Sequence, residues 1–351
     1  MSIPSRLASL VLLTSLSLGA HATDLKHWPT EAANKLNVLI KQHANKGAYA
    51  VFDMDNTSYR YDLEESLLPF LEMKGVLTRD KLDPSLKLIP FKDTDTSKES
   101  LNSYYFRLCE IDDLVCYPWV AQVFSGFTLK ELKGYVDELM AYDKPVPIQY
   151  YQGDKLVNGT VNPPKPFAGM QELYNKLQEN GIEVYVMTAA SEELVRMVAA
   201  DPKYGYNARP QNVLGVNLLL KDRKTGELTT SRMQIKKGKY DQARNQQLEL
   251  TPYLVNPMTW YEGKLGTIHG WIDQWKKPIL VGGDTPLSDG YMLLNGVDVE
   301  KGGMRLWVNR KAKYMPQMQS WWEDAAKKQA ALSQPVTADK NWVIVKPEEI
   351  Q

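Results

Sequence analysis

Several features that mark particular classes of protein are missing from this sequence. The 42 Lys and Arg residues are balanced by 42 Asp and Glu residues, so no excess charge favours a nucleic acid or an acidic membrane surface as a partner. There are four histidines, and none stands in a pattern that suggests a metal site or a catalytic site. After residue 22, no stretch is long and apolar enough to cross a membrane. With 43% hydrophobic residues, the chain is predicted to be globular, with one large domain or two smaller ones.

The first 22 residues have the pattern of a secretory signal peptide. Arg6 supplies a positive charge, Leu7 to Leu18 is an apolar stretch too short to span a bilayer, and Ala20-His21-Ala22 offers small residues where a signal peptidase requires them. We therefore predict a signal peptide over residues 1–22, cleavage near Ala22, and a periplasmic or secreted mature chain that does not insert into the membrane. The alternative is an uncleaved amphipathic anchor.

Cysteine is scarce, and its two positions are close together. Cys109 and Cys116 close the short loop CEIDDLVC, and an oxidising compartment favours a disulfide between them. Two buried free thiols are the alternative. A nucleophilic cysteine is not indicated, because neither residue has a histidine or a basic residue as its neighbour in the sequence.

Three short apolar runs, each followed by a polar residue, have the pattern of buried parallel strands. They are Tyr49 to Phe52 before Asp53, Ile182 to Met187 before Thr188, and Pro278 to Gly282 before Asp284. Before the second run, apolar residues at helical spacing from Phe167 to Leu177 predict a helix that ends at Asn180 and Gly181. A helix followed by a strand is the order of βαβ winding, so the sequence predicts an α/β fold with a parallel sheet.

The stretch between the first and second runs is several times longer than one crossover helix. We interpret residues 61–163 as an inserted, mostly helical cap domain, and residues 23–60 and 164–351 as the catalytic core. Two further elements are expected in the core: a β-hairpin over Asn212 to Ser231 and a late strand over Trp342 to Val345.

The segment Asp53-Met54-Asp55-Asn56-Thr57 places two carboxylates at the end of the first predicted strand, where open α/β sheets bind ligands. One carboxylate can attack phosphorus to form an aspartyl phosphate while it holds a divalent cation. The other can pass a proton to the leaving oxygen and take one from water. A pair of acids in such a turn can also be a solvated turn or a simple metal site, but the complete D-x-D-x-T pattern favours the catalytic interpretation.

Two further residues are candidates for binding a phosphoryl group, whose transition state spreads negative charge over its oxygens. Thr188 ends the second run, and its hydroxyl could donate to a phosphoryl oxygen; a helix N-cap is the alternative, for which Ser191 competes. Lys264 lies between a glycine and an apolar run, as expected at the edge of a pocket. The competing lysines stand in a strongly polar stretch that is typical of a solvated helix face: Lys236, Lys237 and Lys239.

The segment from Gly283 to Asp289 adds carboxylates after the third run. Magnesium prefers hard oxygen ligands, so Asp53, the main-chain carbonyl of Asp55, and Asp284 are candidate ligands for Mg²⁺ or another divalent cation. Asp289 is expected to bind the cation through water or to brace Lys264. The alternative is a G-D-x-P turn without any chemistry.

Four segments of the chain resemble, in the same order, the four motifs of the haloacid dehalogenase superfamily. They are strand-DMDNT, strand-T, GK and strand-GDTPLSD. The resemblance implies a Rossmann-like core with a cap, Mg²⁺ as cofactor, Asp53 as nucleophile and Asp55 as general acid/base. It also implies that Thr188 and Lys264 bind the phosphoryl group and that Asp284 is a metal ligand.

Within that superfamily, the chain is similar to the secreted bacterial phosphorylcholine phosphatases. This similarity rests on the sequences of the DMDNT and GDTPxSD motifs, the signal peptide and the long insert. One difference is that Thr188 stands where serine is expected in that group. The similarity implies that the chain hydrolyses phosphorylcholine, a small phosphomonoester, to choline and phosphate.

A phosphorylcholine site must also hold a trimethylammonium group, which has no N–H to donate and is bound by aromatic faces and carboxylates. Tyr61, Glu64 and Glu65, shortly after the nucleophile, are candidates for such a cage. The insert supplies further aromatic residues, namely Tyr104, Tyr105, Phe106, Tyr117 and Trp119. The alternative is that the tyrosines only pack the cap and that the glutamates only decorate a helix start.

Two other functions are compatible with the sequence. The same catalytic residues would support a periplasmic acid phosphatase that acts on many small monoesters. A choline-binding protein without turnover is the other possibility, and the intact pair of Asp53 and Asp55 argues against it.

Overall fold

The structure is a computed structural model that describes residues 25–255 and 258–351. The signal peptide predicted over residues 1–22 lies outside the described residues. The strands are β1 (Tyr49–Phe52), β2 (Tyr59–Arg60), β3 (Val146–Gln152), β4 (Lys155–Val161), β5 (Lys165–Pro166), β6 (Glu183–Ser191), β7 (Val213–Lys221), β8 (Leu228–Thr229), β9 (Glu249–Val255), β10 (Leu280–Gly283), β11 (Met304–Val308) and β12 (Trp342–Val345). The α-helices are α1 (Thr30–His43), α2 (Leu63–Met73), α3 (Leu101–Ile111), α4 (Asp113–Gln122), α5 (Leu129–Met140), α6 (Ala168–Glu179), α7 (Glu192–Ala199), α8 (Ser231–Lys236), α9 (Gln242–Asn245), α10 (Glu262–Thr267), α11 (Pro286–Asn295) and α12 (Tyr314–Ala331). Searching these residues finds no helix with both the length and the apolar character needed to span a bilayer.

The centre of the molecule is a mostly parallel sheet of eight strands within the described ranges. Its order is β12-β11-β10-β1-β6-β7-β8, and β9 also pairs with β7. The strands from β12 to β7 run parallel, whereas β8 and β9 pair with β7 in the antiparallel direction. The predicted α/β fold, the hairpin formed by β7 and β8, and the late strand β12 are therefore confirmed.

The three predicted strands exist, with adjusted ends. The first has the predicted bounds, but the third begins at Leu280 and not at Pro278. Proline has no backbone N–H to donate to a neighbouring strand, so within sheets it is found mainly on edge strands or at the start of a strand. The second strand continues past Met187 to Ser191, and its pairing with β7 shifts register between these two residues.

Both faces of the sheet are covered, as expected for parallel strands. Alternate side chains of β1 point to opposite faces, so Ala50 and Phe52 pack in a cluster with residues of α1 and α6. Tyr49 and Val51 pack in a second cluster with residues of α11 and α12. Burial on both sides fixes the direction of β1 and therefore the position of Asp53 at its carboxyl end.

The chain between β2 and β5, which covers the predicted insert of residues 61–163, is mostly helical. It contains helices α2 to α5, but also an antiparallel hairpin of β3 and β4 that the sequence did not predict. The turn of this hairpin contains Gly153 at φ +60, a conformation that glycine adopts without strain. Side-chain contacts tie the hairpin to α3: Ser100 Oγ donates to Gln149 O at 3.0 Å, and Tyr151 N donates to Ser103 Oγ at 3.3 Å.

Helices α3 and α4 meet at a sharp corner where the two cysteines lie. Asp112 is extended there, with φ −170 and ψ 143, and its carboxylate accepts from Leu114 N at the start of α4. The sulfur atoms of Cys109 and Cys116 lie next to each other at this corner. The pair therefore spans the corner between two helices of the insert.

Candidate active site

The carboxyl ends of β1, β6 and β10 lie side by side, because β1 pairs in parallel with both of the other strands. Asp53 follows β1, Asp284 follows β10, and Thr188 lies in the last part of β6. A cavity of about 270 Å³ opens at this edge, and Asp53, Asp55 and Asp284 are among its lining residues. The fold thus brings together candidate residues from distant parts of the sequence.

Asp53 and Lys264 form the buried centre of the site. Asp53 N donates to Gly282 O at 3.0 Å, which fixes the backbone after β1. Lys264 Nζ donates to Asp53 Oδ1 at 2.7 Å, and Thr57 Oγ1 donates to Asp53 Oδ2 at 3.3 Å. Burial, together with the charge of Asp289, raises the pKa of Asp53 well above its ordinary value, and the ammonium group of Lys264 opposes this shift. Burial alone would lower the pKa of Lys264, but the carboxylates of Asp289 and Asp53 outweigh it and raise this pKa, so the lysine stays charged.

Asp289 braces the centre. Its Oδ1 accepts from Lys264 Nζ at 2.7 Å. Its Oδ2 accepts from the backbone N–H groups of Asp284 and Thr285 at 2.9 and 3.0 Å. Of the two roles expected for Asp289, these contacts match the brace for Lys264, and they also hold the turn that carries Asp284.

The acidic side chains of this centre can hold a hard divalent cation. Asp53, Asp284 and Asp289 each offer one carboxylate oxygen, and these atoms lie within 4.8 Å of one another. The three carboxylates are paired with two cationic side chains, Lys264 and Arg310. Burial raises the pKa of Asp284, although Arg310 counteracts it. A buried excess of negative charge built from carboxylate oxygens fits a cation such as Mg²⁺.

Asp55 is held by donors on both of its oxygens. Tyr59 Oη and Leu63 N donate to Oδ1 at 2.7 and 2.8 Å. Thr188 Oγ1 donates to Oδ2 at 3.4 Å. Burial and the charge of Asp62 raise the pKa of Asp55 to about 8, whereas the hydrogen bonds from Tyr59 and Leu63 act to lower it. A carboxyl group in this environment can hold a proton near neutral pH and release it to a leaving group.

Thr188 belongs to this site and does not cap a helix. Ser191 occupies the N-cap position of α7, without a side-chain hydrogen bond. Thr188 Oγ1 accepts from Ala190 N at 3.1 Å and donates to Asp55. The backbone N–H of Ser191 donates instead to Glu64 Oε1 at 2.9 Å, which connects the start of α2 to the end of β6.

Of the four candidate lysines, Lys264 contacts Asp53. Lys236, Lys237 and Lys239 are exposed at and beyond the end of α8. Lys237 and Lys239 line a different cavity, on the side of the β7–β8 hairpin. The structure thus places Lys264 beside Asp53 and the other three candidate lysines at the surface.

The candidate cage residues are divided between two cavities. Glu64 and Glu65 line the active-site cavity together with Tyr105 and Tyr117, and Tyr105 Oη donates to Glu65 Oε1 at 3.4 Å. Tyr61 lines a neighbouring cavity of about 250 Å³ and is not part of the first. The two cavities share the lining residues Asn56, Asp62, Glu65 and Arg310.

Several polar or aromatic residues that line the active-site cavity were not singled out from the sequence, among them Asp62, Arg310, Lys311 and Tyr314. Asp62 caps α2 by accepting from Glu65 N at 2.9 Å, so an aspartate before a helical pattern was an available signal. Arg310 donates to Asp284 Oδ2 through Nε and to Thr285 Oγ1 through Nη2. It follows β11, and recognising that strand would have placed it at the same edge of the sheet.

Comparison with known proteins identifies the family. No protein-family profile matches the chain. Phosphorylcholine phosphatase from Pseudomonas aeruginosa is 68% identical over 345 residues, which cover 98% of each chain. A solved structure, that of a conserved protein of unknown function from Anaerococcus prevotii, superposes on this one with a TM-score of 0.56. The two sequences are 19% identical over 86% of this chain and 90% of that one, so the comparison shows similarity of fold alone. With this identity over nearly its whole length, the chain belongs to the phosphorylcholine phosphatase family.

Proposed function

We propose that the chain is a Mg²⁺-dependent phosphomonoesterase that hydrolyses phosphorylcholine through an aspartyl phosphate. The observation that carries the proposal is the contact of Asp53 with the fully buried Lys264, next to Asp55, whose Oδ2 lies beside Thr188. A nucleophile, a fixed positive charge and an acid/base group are the three parts that phosphoryl transfer requires.

In the first half-reaction, a carboxylate oxygen of Asp53 forms a bond to phosphorus while the bond from phosphorus to the choline oxygen breaks. Asp55 gives its proton to that oxygen, so that choline leaves as a neutral hydroxyl. Lys264 and Thr188 donate hydrogen bonds to the phosphoryl oxygens and stabilise the charge that they carry in the transition state.

In the second half-reaction, a water molecule attacks phosphorus. Asp55, now a carboxylate, takes a proton from this water, and the bond between phosphorus and Asp53 breaks. Phosphate is released, and both aspartates return to their starting states.

The cation completes the charge balance. Asp53, the main-chain carbonyl of Asp55, and Asp284 would hold it, while Asp289 keeps Asp284 and Lys264 in place. Bound there, Mg²⁺ would neutralise charge on the phosphoryl group, and other divalent cations that prefer oxygen ligands would suit the same donors.

The choice of phosphorylcholine is supported by the name of the Pseudomonas aeruginosa relative and by the composition of the cavity. Glu65, Tyr105 and Tyr117 offer a carboxylate and two aromatic rings in the same space as Asp53. Each aromatic contact with the trimethylammonium group contributes about 0.5–2 kcal/mol. Glu64 is better suited to a structural role, because its Oε1 is occupied by Ser191 N.

The remaining sequence predictions belong to the same proposal. Residues 61–163 serve as the cap, and residues 23–60 and 164–351 as the catalytic core. The mature chain works in the periplasm or outside the cell after removal of its signal peptide near Ala22. There, Cys109 and Cys116 form a disulfide, as the separation of their sulfur atoms supports.

The test is an assay of the purified mature chain with Mg²⁺ on phosphorylcholine, phosphoserine and an aryl phosphate. We expect turnover of all three, with the highest kcat/KM for phosphorylcholine. Equal kcat/KM values would favour a broad-specificity acid phosphatase. Binding of choline without turnover of any ester would mean a non-catalytic choline-binding protein and would overturn the enzymatic proposal.

A further inference from the structure

The hydroxyl group of Tyr59 lies on the side chain of the acid/base residue. Tyr59 is fully buried in β2, and its Oη donates to Asp55 Oδ1 at 2.7 Å. The backbone N–H of Leu63, the first residue of α2, donates to the same oxygen at 2.8 Å. One oxygen of Asp55 is thus held by two donors from the segment that follows it.

The backbone of this segment is folded to make both contacts. The N–H groups of Thr57, Ser58 and Tyr59 donate to Met54 O at 3.2, 2.8 and 3.3 Å, which turns the chain back towards Asp55. Tyr59 is then fixed by antiparallel pairing of β2 with β5, where its partner is Pro166. Such anchoring leaves the phenol ring in one position relative to Asp55.

These contacts determine which oxygen of Asp55 can carry a proton. A backbone N–H can only donate, so Oδ1 must be an acceptor for Leu63 N, and Tyr59 Oη occupies its other lone pair. With Tyr59 Oη as the donor to Oδ1, both acceptor positions of that oxygen are taken, and the proton that Asp55 transfers is on Oδ2, the oxygen beside Thr188. When Asp55 releases this proton, both hydrogen bonds to Oδ1 become bonds to a carboxylate, which are the stronger kind.

We infer that Tyr59 is a positioning residue for acid catalysis: its hydroxyl holds Asp55 Oδ1, so that Oδ2 presents the proton to the leaving oxygen, and it stabilises the carboxylate that forms. The inference rests on the proposed function, because it assigns Tyr59 a part in the step in which Asp55 protonates the leaving group. It gives this tyrosine a role separate from the choline cage.

The dependence of the rate on the leaving group tests the inference. Tyr59→Phe removes the hydroxyl and keeps the ring. We compare kcat/KM for phosphorylcholine, phenyl phosphate and 4-nitrophenyl phosphate, because kcat/KM includes expulsion of the leaving group but not the later hydrolysis of the aspartyl phosphate. The loss of one hydrogen bond to a charged group should lower kcat/KM for phosphorylcholine roughly 10- to 100-fold. The decrease should be smaller for phenyl phosphate and smallest for 4-nitrophenyl phosphate, whose leaving group departs without a proton.

The ratio of the two aryl phosphates is the decisive quantity. Both lack an ammonium group, so a change in the cage does not affect their ratio. Both are measured on one preparation, so the fraction of folded enzyme does not affect it either. An equal decrease for both esters in Tyr59→Phe, or no decrease, would overturn the inference.

A matched control and a double variant complete the experiment. Tyr206→Phe removes another buried hydroxyl, which donates to Ser58 O at 2.6 Å and does not contact Asp55; its leaving-group dependence should equal that of the wild type. In an Asp55→Ala background, Tyr59→Phe should leave the aryl phosphate ratio unchanged, and a further change would show that Tyr59 does not act through Asp55. If the wild type turned over none of the three esters, the proposed function would fail and the inference with it.

Discussion

Among single residues, Lys264 is the one that connects the buried carboxylates of Asp53 and Asp289. Its ammonium group is fully buried and donates to Asp53 Oδ1 and Asp289 Oδ1, both at 2.7 Å. Removing one partner of a buried ion pair costs more than the pair itself contributes, because the other partner remains charged without compensation. In the proposed mechanism, the same side chain therefore affects both folding and catalysis.

Replacing Lys264 by methionine tests this double role. We expect the free energy of unfolding in urea to fall by about 3–5 kcal/mol, because two buried carboxylates lose their partner. Turnover should be lost as well. Lys237→Met removes an exposed charge outside the site and should change the free energy of unfolding by no more than about 0.5 kcal/mol. Equal stability of the two variants would contradict the buried ion pair.

Glu65 is the residue whose change should affect the substrate preference. Its carboxylate accepts from Tyr105 Oη and lines the active-site cavity. Glu65→Gln keeps the size and removes the charge, so KM for phosphorylcholine should rise about tenfold, the equivalent of one carboxylate contact with a cation. KM for 4-nitrophenyl phosphate should stay constant, because it has no ammonium group. A parallel rise for both substrates would place Glu65 outside the cage.

At the scale of secondary structure elements, the corner between α3 and α4 positions the aromatic part of the cavity. Tyr105 lies one turn before Cys109 in α3, and Tyr117 follows Cys116 in α4. The two tyrosines are anchored differently: Tyr105 packs on Trp119 within the insert, and Tyr117 packs edge-on against Trp260 of the core. The proposed disulfide between Cys109 and Cys116 would therefore keep two cavity residues in register.

The double variant Cys109→Ser/Cys116→Ser should lower the free energy of unfolding by about 2 kcal/mol, the contribution of a short disulfide loop. It should also raise KM for phosphorylcholine and leave KM for 4-nitrophenyl phosphate unchanged, because in the proposed cage the two tyrosines contact the ammonium group, which the aryl phosphate lacks. Leu114→Ser, an exposed change in the same corner, is the control. If KM for phosphorylcholine is unaffected, the corner does not position the cage.

The three strands that were predicted to be buried and parallel share one property: their apolar residues are continuous. β1, with four buried residues and Asp53 after it, is the clearest example. β11 was not predicted because Arg305 interrupts its apolar run; the buried guanidinium donates to backbone carbonyls, among them Leu293 O at 2.6 Å. The hairpin of β3 and β4 was missed because its side chains are mostly half-buried or exposed, so no continuous apolar run marks it.

The residues of the candidate site also divide into those that the sequence singled out and those that it did not. Asp53, Asp55 and Asp284 were found because each stands within or beside a motif that follows an apolar strand. Arg310 was not, because its contact with Asp284 depends on the parallel pairing of β10 and β11, which no local pattern shows. Sequence patterns thus marked candidate residues that stand in or beside a motif, and they missed Arg310, which stands in none.

For the molecule as a whole, a balanced total charge coexists with a strongly acidic cavity. The cavity is lined by six carboxylates, Asp53, Asp55, Asp62, Glu64, Glu65 and Asp284, and by two basic residues, Arg310 and Lys311. Burial raises the pKa of Asp55 and of Asp62 to about 8, from an ordinary value of 3.8. The folded protein without a cation therefore binds protons at a pH at which the unfolded chain has released them.

This difference predicts the pH dependence of stability. A carboxyl group whose pKa is higher in the folded state stabilises that state fully below its unfolded pKa, and the stabilisation is lost as the pH rises through the folded pKa. With EDTA, Tm should therefore fall between about pH 4 and about pH 8. Mg²⁺ should raise Tm more near pH 8 than near pH 5, because the cation binds the ionised carboxylates. A Tm that rises over this range in EDTA would contradict the prediction.

The central claim is that Asp53 forms a covalent bond to phosphorus. Its most direct test is to stop the enzyme with acid during turnover of phosphorylcholine, to reduce the acyl phosphate with borohydride, and to analyse the peptides by mass spectrometry. Reduction converts an aspartyl phosphate to homoserine, which we predict at position 53 only in enzyme that received both substrate and Mg²⁺. Homoserine at position 55, or an unchanged Asp53 in actively turning-over enzyme, would contradict the proposed mechanism.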